Sequence, residues 1–293
     1  MPDPPSPPAP SYHSLEDFLT ANVLTVDAIV PDGWSERFPV KGREIDATVL
    51  FADITGFTAR TADLDPTETL SFVNHFFTWI AAEALRNRPG IVDKYIGDEI
   101  MVVFSKEFGS ASPFLDAVHT ARWMGQNDVL AFTPHIGIAS GRVIVGYAGT
   151  PLKYSCSVFG RPVALAARCA ATKPDDPGPY STYATFPAAE ADPYSLDQLV
   201  PTVRAHDADG SAHDRPNDWQ LTDTREVEMR GLGDVAVRHL GHRGMWFPTQ
   251  TAEQYAKNAV AAIADAGRRW HSDVPAEIGV SRPGTRTDPD AFA

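Results

Sequence analysis

Two aspartates, Asp53 and Asp98, offer the plainest chemistry in this sequence. Asp53 ends the run Thr48-Val-Leu-Phe-Ala-Asp53, whose β-branched, apolar and aromatic residues read as a buried strand, and Gly56 then breaks the chain into a loop. A carboxylate there is well placed to hold a metal ion, although a lone Ala-Asp-Ile would read more readily as a helix cap. Further on, Gly90 to Phe104 reads as two short apolar strands joined by a tight turn at Gly97 and Asp98, which presents the second carboxylate. Hard carboxylate oxygens brought from two points of a fold suit Mg²⁺ or Mn²⁺. A third segment, Tyr154 to Arg168, reads as a strand, a turn at Gly160 and a helix opened near Pro162.

In this order and spacing, the three segments resemble the catalytic domain of the class III nucleotidyl cyclases, the adenylate and guanylate cyclase family. The resemblance spans roughly residues 45 to 172 and returns near 226 to 240. It implies an α+β, ferredoxin-like cyclase fold, an antiparallel sheet with helices, assembled as a head-to-tail homodimer with active sites between the subunits. It also implies two divalent metal ions per site, Mn²⁺ or Mg²⁺, held by Asp53, Asp98 and the backbone carbonyl of Ile54. Gly56, Phe57 and Thr58 match the turn whose N–H groups meet the β- and γ-phosphates, and Arg168 aligns with the arginine that meets the α-phosphate. Lys94 and Ser157 stand where the family reads the nucleobase, and Lys94 and Asp98, four residues apart, serve opposite sites of the family dimer.

One position departs from the family. Ala164 stands where members usually carry an Asn that orients the ribose, and loss of such a donor can cost ~3 kcal/mol, on the order of 10² in rate.

The reaction implied is attack of a 3′-hydroxyl on the α-phosphate of a nucleoside triphosphate, giving a 3′,5′-cyclic nucleotide and pyrophosphate. Ala164 and the long run before the closing strands resemble the pyrimidine cyclases of bacterial antiphage defence, the Pycsar systems. That reading makes UTP the first substrate and CTP the second, with a separate cyclic-nucleotide-responsive effector as partner. An adenylate cyclase is the alternative, since Lys94 with Ser157 also suits ATP. An inactive cyclase-like binding module is the third reading, supported by Ala164 alone. A diguanylate cyclase is excluded because Ile96 and Ile100 replace the residues that its Gly-Gly-Asp-Glu-Phe signature requires around Gly97-Asp98-Glu99. No Gly-x-x-x-x-Gly-Lys run indicates a P-loop.

The whole chain sets the bounds. Its 293 residues, 43% hydrophobic, suffice for a globular core, and a formal charge of −13 argues against nucleic acid or an anionic membrane as the main partner. No apolar run reaches the ~18 residues of a membrane span and the N-terminus lacks signal-peptide features, which places the protein in the cytoplasm. Cys156 and Cys169 make no disulfide or metal pattern, and the histidines, His239 and His242 included, read as surface residues.

The expected organisation is a disordered leader over 1–13, an N-terminal helix and linker over 14–44, the catalytic domain over 45–247 with a surface insertion at 173–218, and a C-terminal helix and disordered tail over 248–293. No sensor domain is expected ahead of the core. Ser14 to Val26 reads as a helix with Leu15, Phe18, Leu19 and Val23 on one side. Asp65-Pro66-Thr67-Glu68 reads as a helix start, followed by an apolar face of Leu70, Val73, Phe77, Ile80 and Ala84. Ser112-Pro113 opens a helix carrying Leu115, Val118 and Trp123. Phe132–Ile138 and Val143–Tyr147 read as two strands of a hairpin around Ser140-Gly141, and Glu226–Leu240 as a second hairpin around Gly231. The helices are expected on one face of the sheet.

Overall fold

A computed structural model describes residues 11–31, 37–86, 88–126, 132–150, 153–174, 180–201, 203–206, 212–215, 219–243 and 261. In chain order the elements are α1 (Leu15–Ala21), β1 (Val26–Pro31), β2 (Arg37–Asp53), α2 (Phe57–Thr61), α3 (Pro66–Arg86), β3 (Gly90–Ile96), β4 (Glu99–Phe104), α4 (Pro113–Gln126), β5 (His135–Thr150), β6 (Lys153–Phe159), α5 (Arg161–Ala171), β7 (Tyr180–Pro187), α6 (Ala188–Ala191), α7 (Leu196–Leu199), β8 (Val203–His206), β9 (Ala212–Arg215), β10 (Trp219–Leu221), β11 (Arg225–Met229) and β12 (Gly233–Arg243). The main sheet runs β10-β12-β7-β5-β2-β4-β3; β1 pairs with β2, β6 with β5 and β11 with β12. The α+β class expected from the sequence is present, and apart from the parallel β5–β7 contact the main-sheet pairs are antiparallel.

β2 organises the sheet because its residues alternate between two buried layers. Leu50 and Ala52 face a core with Phe72, Phe76 and Ile80 of α3 and Phe114, Ala117, Val118, Ala121 and Met124 of α4. Val49 and Phe51 face a second core with Leu15, Phe18 and Leu19 of α1 and Ala166 and Ala170 of α5. The expectation of helices on a single face is thus corrected. The strand alternates but is apolar on both sides, which a sheet covered twice requires.

α3 starts as its sequence predicts. Asp65 Oδ1 accepts from the Glu68 N–H at 2.8 Å and Glu68 Oε2 accepts from the Asp65 N–H at 3.0 Å, a reciprocal cap of about 1 kcal/mol. Its inward face is displaced from the expected one: Phe72, Phe76 and Ile80 are buried, whereas Leu70 is 62% exposed and Phe77 packs on Tyr95 with ring centroids 4.3 Å apart. α1 is shorter than expected, since β1 begins at Val26, and Val23 lies exposed beyond its end.

Two larger corrections concern strands. Phe132 to Tyr147 contains no hairpin: β5 continues through Gly141, paired with β2 from Asp53↔His135 to Gly42↔Gly146. Gly141, at φ 147°, lets Pro162 approach to 3.1 Å from where a Cβ would stand. The run 173–218 is not a surface insertion throughout. Its β7 lies inside the sheet between β5 and β12, with Thr182, Tyr183, Ala184, Thr185 and Phe186 buried. His239, expected at the surface, is buried beside it, with Nδ1 2.8 Å from Thr185 Oγ1; His242 is buried against Trp219.

The closing hairpin β11–β12 forms as expected. Within the expected leader, residues 1–10 lie outside the described residues, but the Ser11 N–H is bonded to the Phe108 carbonyl at 3.0 Å. The expected C-terminal helix and tail lie outside the described residues except for residue 261. Among the described residues, no helix is long and apolar enough to cross a membrane.

Glu190 of α6 gives this fold a stability prediction. Its Oε1 accepts the Ser140 N–H at 2.8 Å, Oε2 is buried without a hydrogen-bond partner among the described residues, and burial raises its carboxyl above the usual range despite the Ser140 bond. A raised folded value stabilises the protonated protein, and that stability is lost as pH rises through it. Glu190→Gln keeps the acceptor and removes the buried charge. Its melting temperature is expected above wild type at pH 7, with the gap closing towards pH 4; a variant less stable at pH 7 contradicts this account.

Candidate active site

β2 and the β3–β4 turn bring Asp53 and Asp98 together. Antiparallel pairing of Asp53 with Glu99 sets the end of β2 beside the Gly97-Asp98 turn, and the Asp53 and Asp98 carboxyls come within hydrogen-bonding reach of one another. They stand in an open hollow of about 590 Å³ lined by Asp53, Ile54, Gly56, Phe57, Thr58, Ala59, Ile96, Asp98 and Glu99. Burial, the Asp98 carboxyl and the Glu99 charge push Asp53 up to about 8, against a lowering bond from the Ile54 backbone. Glu99 is also raised, by burial and then by Asp98. The sequence reading passed over Glu99 as a site residue, although its place next to Asp98 and opposite Asp53 was the available signal.

This donor set fits a divalent cation. It consists of hard oxygens, and two carboxyls close enough to share a proton are an arrangement that a cation relieves. The Ile54 carbonyl accepts a long bond, 3.4 Å, from the Phe57 N–H and keeps a second lone pair. Among the described residues, no cluster of three or more His, Cys, Asp or Glu side chains is arranged to hold a metal.

The turn after Asp53 depends on Gly56, which adopts φ 67° and ψ 30°, a left-handed conformation costly for residues with a Cβ. It caps the short helix α2, and its carbonyl accepts the Arg60 N–H at 3.0 Å. Phe57 is anchored by stacking on Phe72 at 6.3 Å, while Thr58 is exposed. The Phe57 N–H, expected to meet phosphate, is directed at the Ile54 carbonyl, 3.4 Å away.

The other expected residues lie outside this hollow. Lys94, Ser157 and Arg168 do not line the hollow. Ser157 Oγ donates to Asp93 Oδ2 at 2.7 Å, Lys94 Nζ lies 3.5 Å from the same oxygen, and Nζ sits 6.0 Å from the centre of the Phe159 ring. Ser157 is therefore buried and held to β3, a strand that β6 does not pair with. Arg168 and Ala164 lie one turn apart on the exposed face of α5. That helix packs so tightly on β5 that a Cβ at Gly137 would stand 2.0 Å from the Ala166 carbonyl oxygen. One chain thus presents the carboxylates with the Gly56 turn in one place and the Lys94–Asp93–Ser157 cluster in another, with Arg168 exposed on α5.

Residues 40–176 match the adenylate and guanylate cyclase catalytic domain family. That segment, a little under half of the chain, contains Asp53, the Gly56 turn, Asp98 and Arg168. The fold agrees with solved structures of the family. The adenylyl cyclase CyaB from P. aeruginosa is 16% identical with a TM-score of 0.51, over 72% of this chain and 99% of that one. The guanylate cyclase domain of RhGC from Catenaria anguillulae is 19% identical with a TM-score of 0.50, over 69% and 100%. At such identities the likeness establishes the fold. Among curated proteins, an uncharacterized protein of Mycobacterium tuberculosis is 31% identical over 179 residues, 59% of this chain and 31% of its own length. The chain thus spans under a third of that relative's length.

Proposed function

We propose that this protein is a nucleotide cyclase that converts a nucleoside triphosphate into its 3′,5′-cyclic monophosphate and pyrophosphate. The observation that carries this reading is the contact of Asp53 with Asp98 at the mouth of a hollow walled by the Gly56 turn. Asp53, Asp98 and the Ile54 carbonyl would hold the divalent ions, which when bound lower the pKa of the 3′-hydroxyl and neutralise phosphate charge. Gly56 and Thr58 N–H groups orient the β- and γ-phosphates. Arg168 stabilises charge that builds on the α-phosphate. Lys94 and Ser157 read the base. Pyrophosphate leaves without a covalent protein intermediate.

The two groups of residues are joined in a head-to-tail homodimer in this reading, each site taking carboxylates from one subunit and Lys94, Ser157 and Arg168 from the other. Exposed apolar side chains on β3 and β6 support it: Tyr95 is 51% exposed, Ile96 46%, Phe159 41% and Tyr154 40%.

For the base we keep the pyrimidine reading, with a cyclic pyrimidine nucleotide signalling to a separate effector in antiphage defence. CTP now takes precedence over UTP, because Ser157 gives its only proton to Asp93 and faces the base as an acceptor. The same observation favours ATP as the second reading. Purified protein incubated with Mn²⁺ and each of ATP, GTP, CTP and UTP is expected to release pyrophosphate from at least one; inertness towards all four contradicts the proposal. Lys94→Ala is expected to alter the ranking of the four nucleotides, and an unchanged ranking removes Lys94 from the base pocket.

A further inference from the structure

Asp93 is a buried carboxylate beside Lys94 and Ser157 that the sequence reading did not use. It sits in an apolar run, Ile91-Val92-Asp93-Lys94-Tyr95-Ile96, where an aliphatic residue would suit the strand better. The β3–β4 register slips between Val92 and Lys94, and at this bulge the Asp93 side chain is only 1% exposed while that of its neighbour Lys94 is 37% exposed. A bulge is a device that re-aims a side chain. Oδ2 is taken, by the Ser157 hydroxyl at 2.7 Å and by Lys94 Nζ at 3.5 Å. Oδ1 is buried with no hydrogen-bond partner among the described residues. Burial raises the Asp93 carboxyl above its usual range, and Ser157, Lys94 and the Val158 backbone only partly offset it. The fold therefore maintains a costly acceptor next to the two residues assigned to the base.

We propose that Asp93 sets the choice of nucleobase: Asp93 and Ser157 form an edge of acceptors beside the Lys94 donor, and this edge takes a base bearing an exocyclic amine. The inference rests on the cyclase reading and on the placement of Lys94 and Ser157 at the base. It follows from the inventory of protons. Lys94 only donates, an ionised Asp93 only accepts, and Ser157, having given its proton to Oδ2, offers lone pairs. Adenine, cytosine and guanine each present an amine with two hydrogens and a nearby ring or carbonyl acceptor for the lysine. Uracil presents one N–H between two carbonyls, so one of the two protein acceptors meets a carbonyl oxygen. A site built to hydrogen-bond an N–H discriminates strongly against an analogue lacking it, because its own buried group is then unpaired. UTP, first in the order that the sequence suggests, becomes the poorest substrate.

The test is kcat/KM of the full chain for ATP, CTP, GTP and UTP with Mn²⁺, measured for wild type, Asp93→Asn and Ser157→Ala, with thermal melts to show that each variant is folded. Wild type is expected to use UTP at least about 10²-fold less well than its best substrate. Asp93→Asn is close in shape but offers an amide donor, so it should narrow that ratio by about tenfold or more, chiefly through KM, and Ser157→Ala should narrow it too. UTP as the best wild-type substrate, or a folded Asp93→Asn with the wild-type ratio, overturns the inference. Should wild type turn over none of the four, the cyclase reading fails by itself, and calorimetric titration with the same four nucleotides decides Asp93. Weaker binding of UTP than of the others supports it; equal binding of all four, or of none, overturns it.

Discussion

Asp53→Ala and Asp98→Ala are each expected to reduce cyclic nucleotide formation by on the order of 10³ or more in kcat, measured from initial rates in saturating Mn²⁺. The loss follows from their position. Each is a hard oxygen donor at one hollow, and neither has a neighbouring side chain that can take its place: Glu99 is set on the strand opposite Asp53, where its own carboxyl is raised by burial and by Asp98. A fall in stability is not expected to accompany the loss of Asp53, since a carboxyl pushed up to about 8 is one that the folded chain holds against its preferred ionisation at neutral pH. A melting temperature at or above wild type combined with lost turnover is therefore the expected pattern. A double variant that is folded and still turns over substrate contradicts the metal-ligand assignment.

The second large effect concerns the proposed dimer. Asp53→Ala and Arg168→Ala homodimers are each expected to be nearly inactive, yet a 1:1 mixture allowed to exchange subunits should regain about a quarter of wild-type activity. Half of the randomly formed dimers pair one subunit of each kind. In such a dimer one site combines the intact carboxylates of the Arg168→Ala subunit with the intact arginine of the Asp53→Ala subunit, while the other site carries both defects. The structure motivates the experiment, because the hollow holding Asp53 and Asp98 is not lined by Lys94, Ser157 or Arg168 of the same chain, and Arg168 lies exposed on α5. A mixture no more active than its components argues that each chain builds its own site.

What could be read in the sequence, and what could not, divides along physical lines. Local signals were legible: the Asp65-Pro66-Thr67-Glu68 start of α3 became a reciprocal pair of hydrogen bonds, and the apolar run ending in Asp53 became the central strand β2. Where the outcome depended on distant partners, the sequence misled. Ser140-Gly141 has the residues of a hairpin, yet twelve consecutive pairs with β2 hold β5 extended through it. β7 is written as Tyr-Ser-Thr-Tyr-Ala-Thr-Phe-Pro in a polar neighbourhood, and Thr185 is tolerated inside because the neighbouring strand supplies His239 as its partner. The inward face of α3 was misjudged because Leu70 and Phe72 are equally apolar, and only the position of the sheet selects Phe72.

The site shows the same division. Asp53 and Asp98 were legible because each ends or turns a strand, and the structure brings their carboxyls together. Asp93 was not, since its inward aim depends on a one-residue slip in pairing, which a strand's own sequence does not display.

The central claim is that these residues close a nucleotide ring, and the mass of the product tests it most directly. Wild-type protein with Mn²⁺ and the nucleotide it prefers is expected to yield pyrophosphate and a nucleoside monophosphate lighter than the linear form by one water, with none formed by the Asp53→Ala, Asp98→Ala double variant. A linear mono- or diphosphate as the only product, or a cyclic product that persists in the double variant, would contradict the account.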